Sequence, residues 1–239
     1  MILPDMTSEQ MMKVMDDDIS FLRQFADSYM TNEGRRILRN RHTVFPCSLT
    51  KFVTAPESHQ RYLLTFRIAN KYEAYDGGHR FYFRAIINSG YGTEAANIAE
   101  NREDNSRHIT YFCAHLFHRY AERMGLKMQG EELIRYFTKR NPMMIEATQW
   151  RKEQDCMMLC HDGACFGEYS QEDQSRINLK TFIATDTMQD DTYRAKLNGD
   201  YNMAVVGVLW KKYLQDPEMA DFLARTTKCR KTSKKKITK

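Results

Sequence analysis

No uninterrupted apolar run in this chain approaches the roughly 20 residues of a bilayer-spanning helix, which argues against a membrane protein. Met1-Ile2-Leu3-Pro4-Asp5 lacks a basic segment followed by an apolar stretch, so no export leader is expected. Close cysteine pairs are missing too. Six cysteines are scattered through 239 residues, a pattern of reduced thiols in a cytoplasmic protein rather than of a disulfide framework.

Several chemical signatures are equally absent. Gly77-Gly78 and Gly90-Tyr91-Gly92 have neither the spacing nor the Lys-Ser or Lys-Thr that lets a glycine-rich loop cradle phosphates, which excludes a P-loop enzyme. There is no Gly-x-Ser-x-Gly elbow and no His-Glu-x-x-His helix, so serine-hydrolase and metalloprotease readings lose their usual support. The acids of Asp16-Asp17-Asp18, Glu131-Glu132 and Asp190-Asp191 are adjacent; neighbours on a helix point about 100° apart and share no site. Cys156, Cys160, His161 and Cys165 cluster in sequence. A two-residue turn at Asp162-Gly163 would set Cys160 opposite Cys165 and send His161 to the other face, so neither a metal nor a cofactor is expected.

What is present is a globular composition, 42% hydrophobic and 28% charged, which excludes global disorder. The net charge of +5 is misplaced rather than general. Eight of the 36 Lys and Arg lie between Arg225 and Lys239, where there is no acid; the other 28 face 31 acids, so the body is near −3. A basic tail containing Lys234, Lys235 and Lys236 suits RNA or another polyanion through counterion release, or is simply a solvated end.

Apolar positions from Met11 to Tyr29 follow a helical period, capped by Thr7 or Ser8 and ending before Gly34. A second, basic helical stretch holds Arg35, Arg36, Arg39 and Arg41, either lining a nucleic-acid groove or forming a solvated helix end. Between Val44 and Asn88 the period becomes two, predicting strands at 49–53, 62–68 and 80–87, the last two joined as a hairpin by Asp76-Gly77-Gly78. Residues 89–107 read as a loop or weak helix. Thr110 is placed as the N-cap of a helix over 111–124 that Gly125 ends, and another helix is expected from Glu131 to Lys139. Strands follow at 155–161, 164–170 and 177–185, then helices at 188–197, 203–214 and 218–225. The expected class is α+β: antiparallel sheet packed against helices, with helical N- and C-terminal segments, as one domain over 1–226 and a disordered basic tail over 227–239.

On the helix expected at 111–124, His115, Arg119 and Arg123 stand four apart and share one face. Two guanidiniums and an imidazole in a row suit a phosphoryl group, the arginines stabilising charge while the histidine moves a proton. Equally, the stripe reads as a helix edge whose long stems cover the core while Glu122 pairs with a neighbour.

This run, with the strand Leu179-Lys180-Thr181-Phe182-Ile183-Ala184-Thr185, resembles the core of the barnase, EndoU and RelE-like superfamily of metal-independent ribonucleases over residues 110–186. The resemblance implies attack of a ribose 2′-hydroxyl on the adjacent phosphate. His115 would be the acid or base, Arg119 and Arg123 the phosphate ligands, and Thr181 or Thr185 an orienting hydroxyl. The insertion over 125–154 and the N-terminal β region lie outside that core. Threonine is also a common strand residue, and Thr185 could cap the next helix. Two other readings stand beside the enzyme. One is a binding module in which Arg35 to Arg41 and strand aromatics such as Tyr82 contact a strand of nucleic acid; the other is a structural or regulatory protein with no nucleic-acid partner and an incidental tail, its regulatory protein partner unknown.

Overall fold

In the computed structural model, which describes residues 1–185 apart from 41, 77–79, 101–105, 143, 147–154 and 174, the first helix starts at a reciprocal cap. The Gln10 N–H donates to Thr7 Oγ1 at 3.3 Å and the Thr7 N–H donates to Gln10 Oε1 at 3.0 Å. Met11, Met15, Asp18, Leu22, Ala26, Met30, Gly34 and Ile37 are buried along one stripe of this helix, α1 (Ser8–Arg39). It does not stop before Gly34. That glycine sits inside the helix, where an ideal Cβ would lie 2.5 Å from the Ala74 carbonyl oxygen of a short helix, α2 (Lys71–Asp76). Close packing between two helices, rather than a chain stop, explains it. Arg35, Arg36 and Arg39 therefore belong to the end of α1, and Arg41 lies outside the described residues.

Nine described strands form one sheet: β1 (Cys47–Thr54), β2 (Arg61–Ile68), β3 (Arg80–Ser89), β4 (Gly92–Glu100), β5 (Arg107–Phe112), β6 (Ile145–Glu146), β7 (Asp155–Cys160), β8 (Gly163–Tyr169) and β9 (Arg176–Ala184). Their order is β1-β2-β3-β4-β5-β9-β8-β7-β6, and every neighbouring pair is antiparallel except β5 and β9. The α+β class with largely antiparallel pairing is thus observed. Within 89–107, the span read as a loop or weak helix, residues 92–100 instead form β4, held between β3 and β5. Thr110 is not a cap either, since it lies in β5, and the following helix, α3 (Ala114–Arg123), has Cys113 at its N-cap. The first-turn N–H of Ala114 instead donates 3.1 Å to the buried Glu94 carboxylate on β4. Gly125, at φ 63, does end α3.

β2 and β3 pair antiparallel as expected, but α2 lies in their connection, and Gly77 and Gly78 fall outside the described residues. The β7–β8 turn is one residue earlier than Asp162-Gly163. Cys160 pairs with Gly163, leaving His161 and Asp162 as the turn, while Cys165 lies opposite Met158. Gly163 is needed inside β8 because a Cβ there would run into the Ile183 backbone. Alternation then gives the sheet two covered faces. Tyr62, Leu64, Phe66, Ala85, Ile87, Ile109 and Tyr111 pack with α1. Leu63, Ile86, Ala95, Phe112, Leu179 and Phe182 pack with α3 and with α4 (Gly130–Arg140). Tyr120 anchors the second face, its ring edge-on to Phe137 and to Phe182 at 4.9 Å each, contacts of about 0.5–1.5 kcal/mol apiece beyond burial.

No described helix is long and apolar enough to cross a membrane. The chain divides at Gln189 into two units. The expected helices after 186 and Lys234, Lys235 and Lys236 lie outside the described residues.

Candidate anion site beneath the fourth helix

On β3, residues facing α1 alternate with residues facing α3 and α4, and Arg84 falls on the second kind, beside the apolar Ile86. Further along the same face the apolar cover runs out, and a cavity of about 310 Å³ opens between the sheet and the segment leading out of α4. Its floor carries Ser48, Thr65, Arg67, Tyr82, Arg84, Asn97 and Thr110, and Thr138, Pro142, Met144 and Met158 complete the wall. Two arginines line it, and among the described residues no aspartate or glutamate does.

Arg84 is held but not neutralised. Its Nη1 donates to Thr138 Oγ1 at 2.6 Å and its Nη2 reaches Met144 Sδ at 3.9 Å. Thr138 passes its own proton to the Ile134 carbonyl at 2.8 Å, so it serves the guanidinium as acceptor. The guanidinium carbon lies 4.6 Å from the Phe112 ring centroid and 5.7 Å from that of Phe137, two cation–π contacts that fix its plane. Burial pulls the group down to about 10, with the thiols of Cys165 and Cys160 pulling the other way, so it remains cationic at neutral pH. Of five N–H donors, only those aimed at Thr138 and Met144 find partners among the described residues. Beside it on β2, Thr65 is 4% exposed and its hydroxyl has no hydrogen-bond partner. Arg67 adds a second guanidinium with no ion pair among the described residues. Among the described residues, unfilled donors and two positive charges without a carboxylate are chemistry that suits an acceptor-rich anion.

The stripe on α3 is built differently. His115 and Arg123 are exposed, and Arg119 sits between them. Arg119 donates from Nε to His115 Nε2 at 3.4 Å and pairs through Nη1 with Glu122 at 2.8 Å. His115 and Arg119 are therefore together, with Glu122 already on the arginine. Thr181 lies on β9 at a register shift, between Leu179 and Phe182, which both pack with α3. Thr185 donates from Oγ1 to the Asp162 carbonyl at 3.2 Å, tying down the β7–β8 turn. No described hydrogen bond joins either threonine to His115. Among the described residues no three His, Cys, Asp or Glu side chains converge as a metal-binding set; His161 is exposed at its turn while Cys156, Cys160 and Cys165 are buried.

Of the cavity residues, only Tyr82 was singled out by sequence reasoning as a contact residue; it is 49% exposed at the rim. Arg84 and Thr65 were missed. The available signal was the run Ala85-Ile86-Ile87, whose continuous apolarity marks a strand covered on both faces and hence a half-buried cation at its border. No protein-family model, curated protein or solved structure matches this chain.

Proposed function

We propose that this protein is a non-enzymatic binding module that holds a small anionic ligand in the cavity under α4. The observation that carries this reading is Arg84, a guanidinium in a walled site with no acid among its described partners and spare donors toward the cavity. A chain that only had to fold would gain by placing an apolar side chain there, because an unpaired charge in a low-dielectric setting costs stability. A bound anion offsets that cost. The free thiols of the described cysteines suit a reducing compartment, and we place the protein in the cytoplasm on that ground.

The test is thermal unfolding of the full chain in phosphate or sulfate against chloride at matched ionic strength. Ligand at a hundred times its Kd raises stability by about 2.7 kcal/mol. Arg84→Gln should abolish the anion-specific shift while Arg67→Gln reduces it. A shift that is the same in the parent and in Arg84→Gln overturns the assignment.

A second reading keeps the phosphodiesterase implied by the ribonuclease resemblance, and the contact from Arg119 Nε to His115 Nε2 favours it. A phosphate displacing Glu122 from Arg119 would sit beside the imidazole, with Arg123 one turn on and the basic tail as an electrostatic tether to RNA. Cleavage of mixed RNA in EDTA, lost in folded His115→Ala and Arg119→Ala variants, is its expected outcome. No cleavage by the parent protein removes it.

A further inference from the structure

The floor of the cavity has an internal order. Across β2 and β3, Leu63 pairs with Arg84 and Thr65 with Tyr82; across β1 and β2, Ser48 pairs with Arg67. Because residues two apart share a face at about 6.8 Å, the same side of the sheet presents a cation, then an aromatic ring beside an unpartnered hydroxyl, then a second cation. The deep end, at Arg84, is a donor cluster clamped by Thr138 and two aromatic rings. Toward the rim stands Tyr82, half exposed, its ring unclaimed by any described ring contact or ion.

We propose that the ligand is a nucleotide: a phosphate monoester seated on Arg84 and Thr65, with its planar base stacked on Tyr82. This rests on the anion-site reading above and narrows it. Charge selects phosphate over carboxylate, since the described lining holds two guanidiniums and no acid, and a monoester carries nearly two negative charges at neutral pH against one for a carboxylate. Donor geometry agrees. A guanidinium fork with spare N–H groups and a neighbouring hydroxyl suits a group with three terminal oxygens. The volume, about 310 Å³, lies at the small end for ligand pockets and fits one nucleotide rather than a duplex. Stacking on Tyr82 needs only a flat face, so the base is held without being identified, and the apolar wall of Pro142 and Met144 serves the same purpose. Arg67, at the mouth, is placed for the ribose side or for the next phosphate of a chain.

Calorimetric titration of the full chain with inorganic phosphate, adenosine, adenosine 5′-monophosphate and a 5′-phosphorylated dinucleotide tests this. Adenosine 5′-monophosphate should bind at least tenfold more tightly than either inorganic phosphate or adenosine. Tyr82→Ala should weaken the nucleotide by roughly tenfold and leave inorganic phosphate unchanged. Arg84→Gln should weaken both by about a hundredfold, and Arg84→Lys, which keeps the charge, should recover part of the loss. Equal affinity for mononucleotide and dinucleotide marks a free nucleotide as the source, and a tighter dinucleotide marks a strand terminus; either satisfies the proposal. If phosphate and nucleotide bind alike and Tyr82→Ala changes neither, the nucleotide is wrong while the anion site survives. If no phosphate compound binds the parent protein, both fall.

Discussion

Two guanidiniums approach the core from α4 and from the sheet beneath it, and their surroundings are opposite. Arg140 meets Asp162, whose side chain is only 2% exposed, at 2.6 Å. That carboxylate also accepts from the Tyr120 hydroxyl at 2.6 Å and from the Asn141 amide at 3.2 Å, while the Asp162 N–H donates to Asn141 Oδ1. Burial, reinforced by the hydrogen bond to Asp162, pushes the Tyr120 phenol far up, so it serves as a fixed donor. Among the described residues Arg84 has a threonine hydroxyl, a thioether and two ring faces, and no acid. This fold thus builds complete partners for a buried charge where that charge is structural. At Arg84, a short way across the same face, the described partners leave donors unfilled, which is the contrast the proposed anion would complete.

Three measurements break or sharpen that contrast. The largest effect is expected for Asp162→Ala, which strands the buried Tyr120 hydroxyl and the Asn141 amide and frees the β7–β8 turn; urea unfolding should lose about 3 kcal/mol or more. Arg84→Met should do the reverse in the absence of ligand. Filling the same volume without a charge should leave stability unchanged or raise it by about 1 kcal/mol, and a loss of 2 kcal/mol or more would make Arg84 as structural as Asp162. His108 is the intermediate case and should give the smallest effect. Its burial lowers its pKa below the ordinary 6.5, partly opposed by Glu146, which itself accepts from the Tyr169 hydroxyl. Since the unfolded chain takes up the proton first, stability is complete above about pH 6.5 and declines as pH falls from there through the folded value. His108→Asn should flatten that part of the stability profile without altering the plateau at pH 8.

Much of the sheet was legible because its strands are written in β-branched and aromatic residues at period two, as in Tyr62 to Ile68 or Arg80 to Ile87. β4 was not, because Gly92-Thr-Glu-Ala-Ala-Asn-Ile-Ala-Glu100 is poor in such residues and is held by neighbours on both sides. The end of β5 was read as the start of the helix after it, since Thr110 is a common N-cap type and Phe112 and Leu116 continue an apolar pattern that local spacing cannot divide. Gly34 read as a helix end because close helix packing and chain reversal use the same residue. The α3 stripe was visible because it is periodic and local. The cavity was not, because it depends on which part of the sheet α4 leaves uncovered, a property of packing between distant segments such as Arg84 and Thr138, 54 residues apart. For Arg84 the neighbouring apolar run Ala85-Ile86-Ile87 marks a covered strand, but nothing local names Thr138 as its partner.

The single parallel pair, β5 with β9, also has a kinetic consequence. It joins two antiparallel meanders, each of which closes mostly through near neighbours, yet its own partners, Ile109 and Arg176, are separated by nearly the whole of the second meander. Closing so long a loop costs chain entropy before any contact repays it. The two halves of the sheet are thus set to form as separate local units, and the seam between them, with α3 anchored to β9 by the Cys113 N–H on the Leu179 carbonyl at 3.0 Å, to close last.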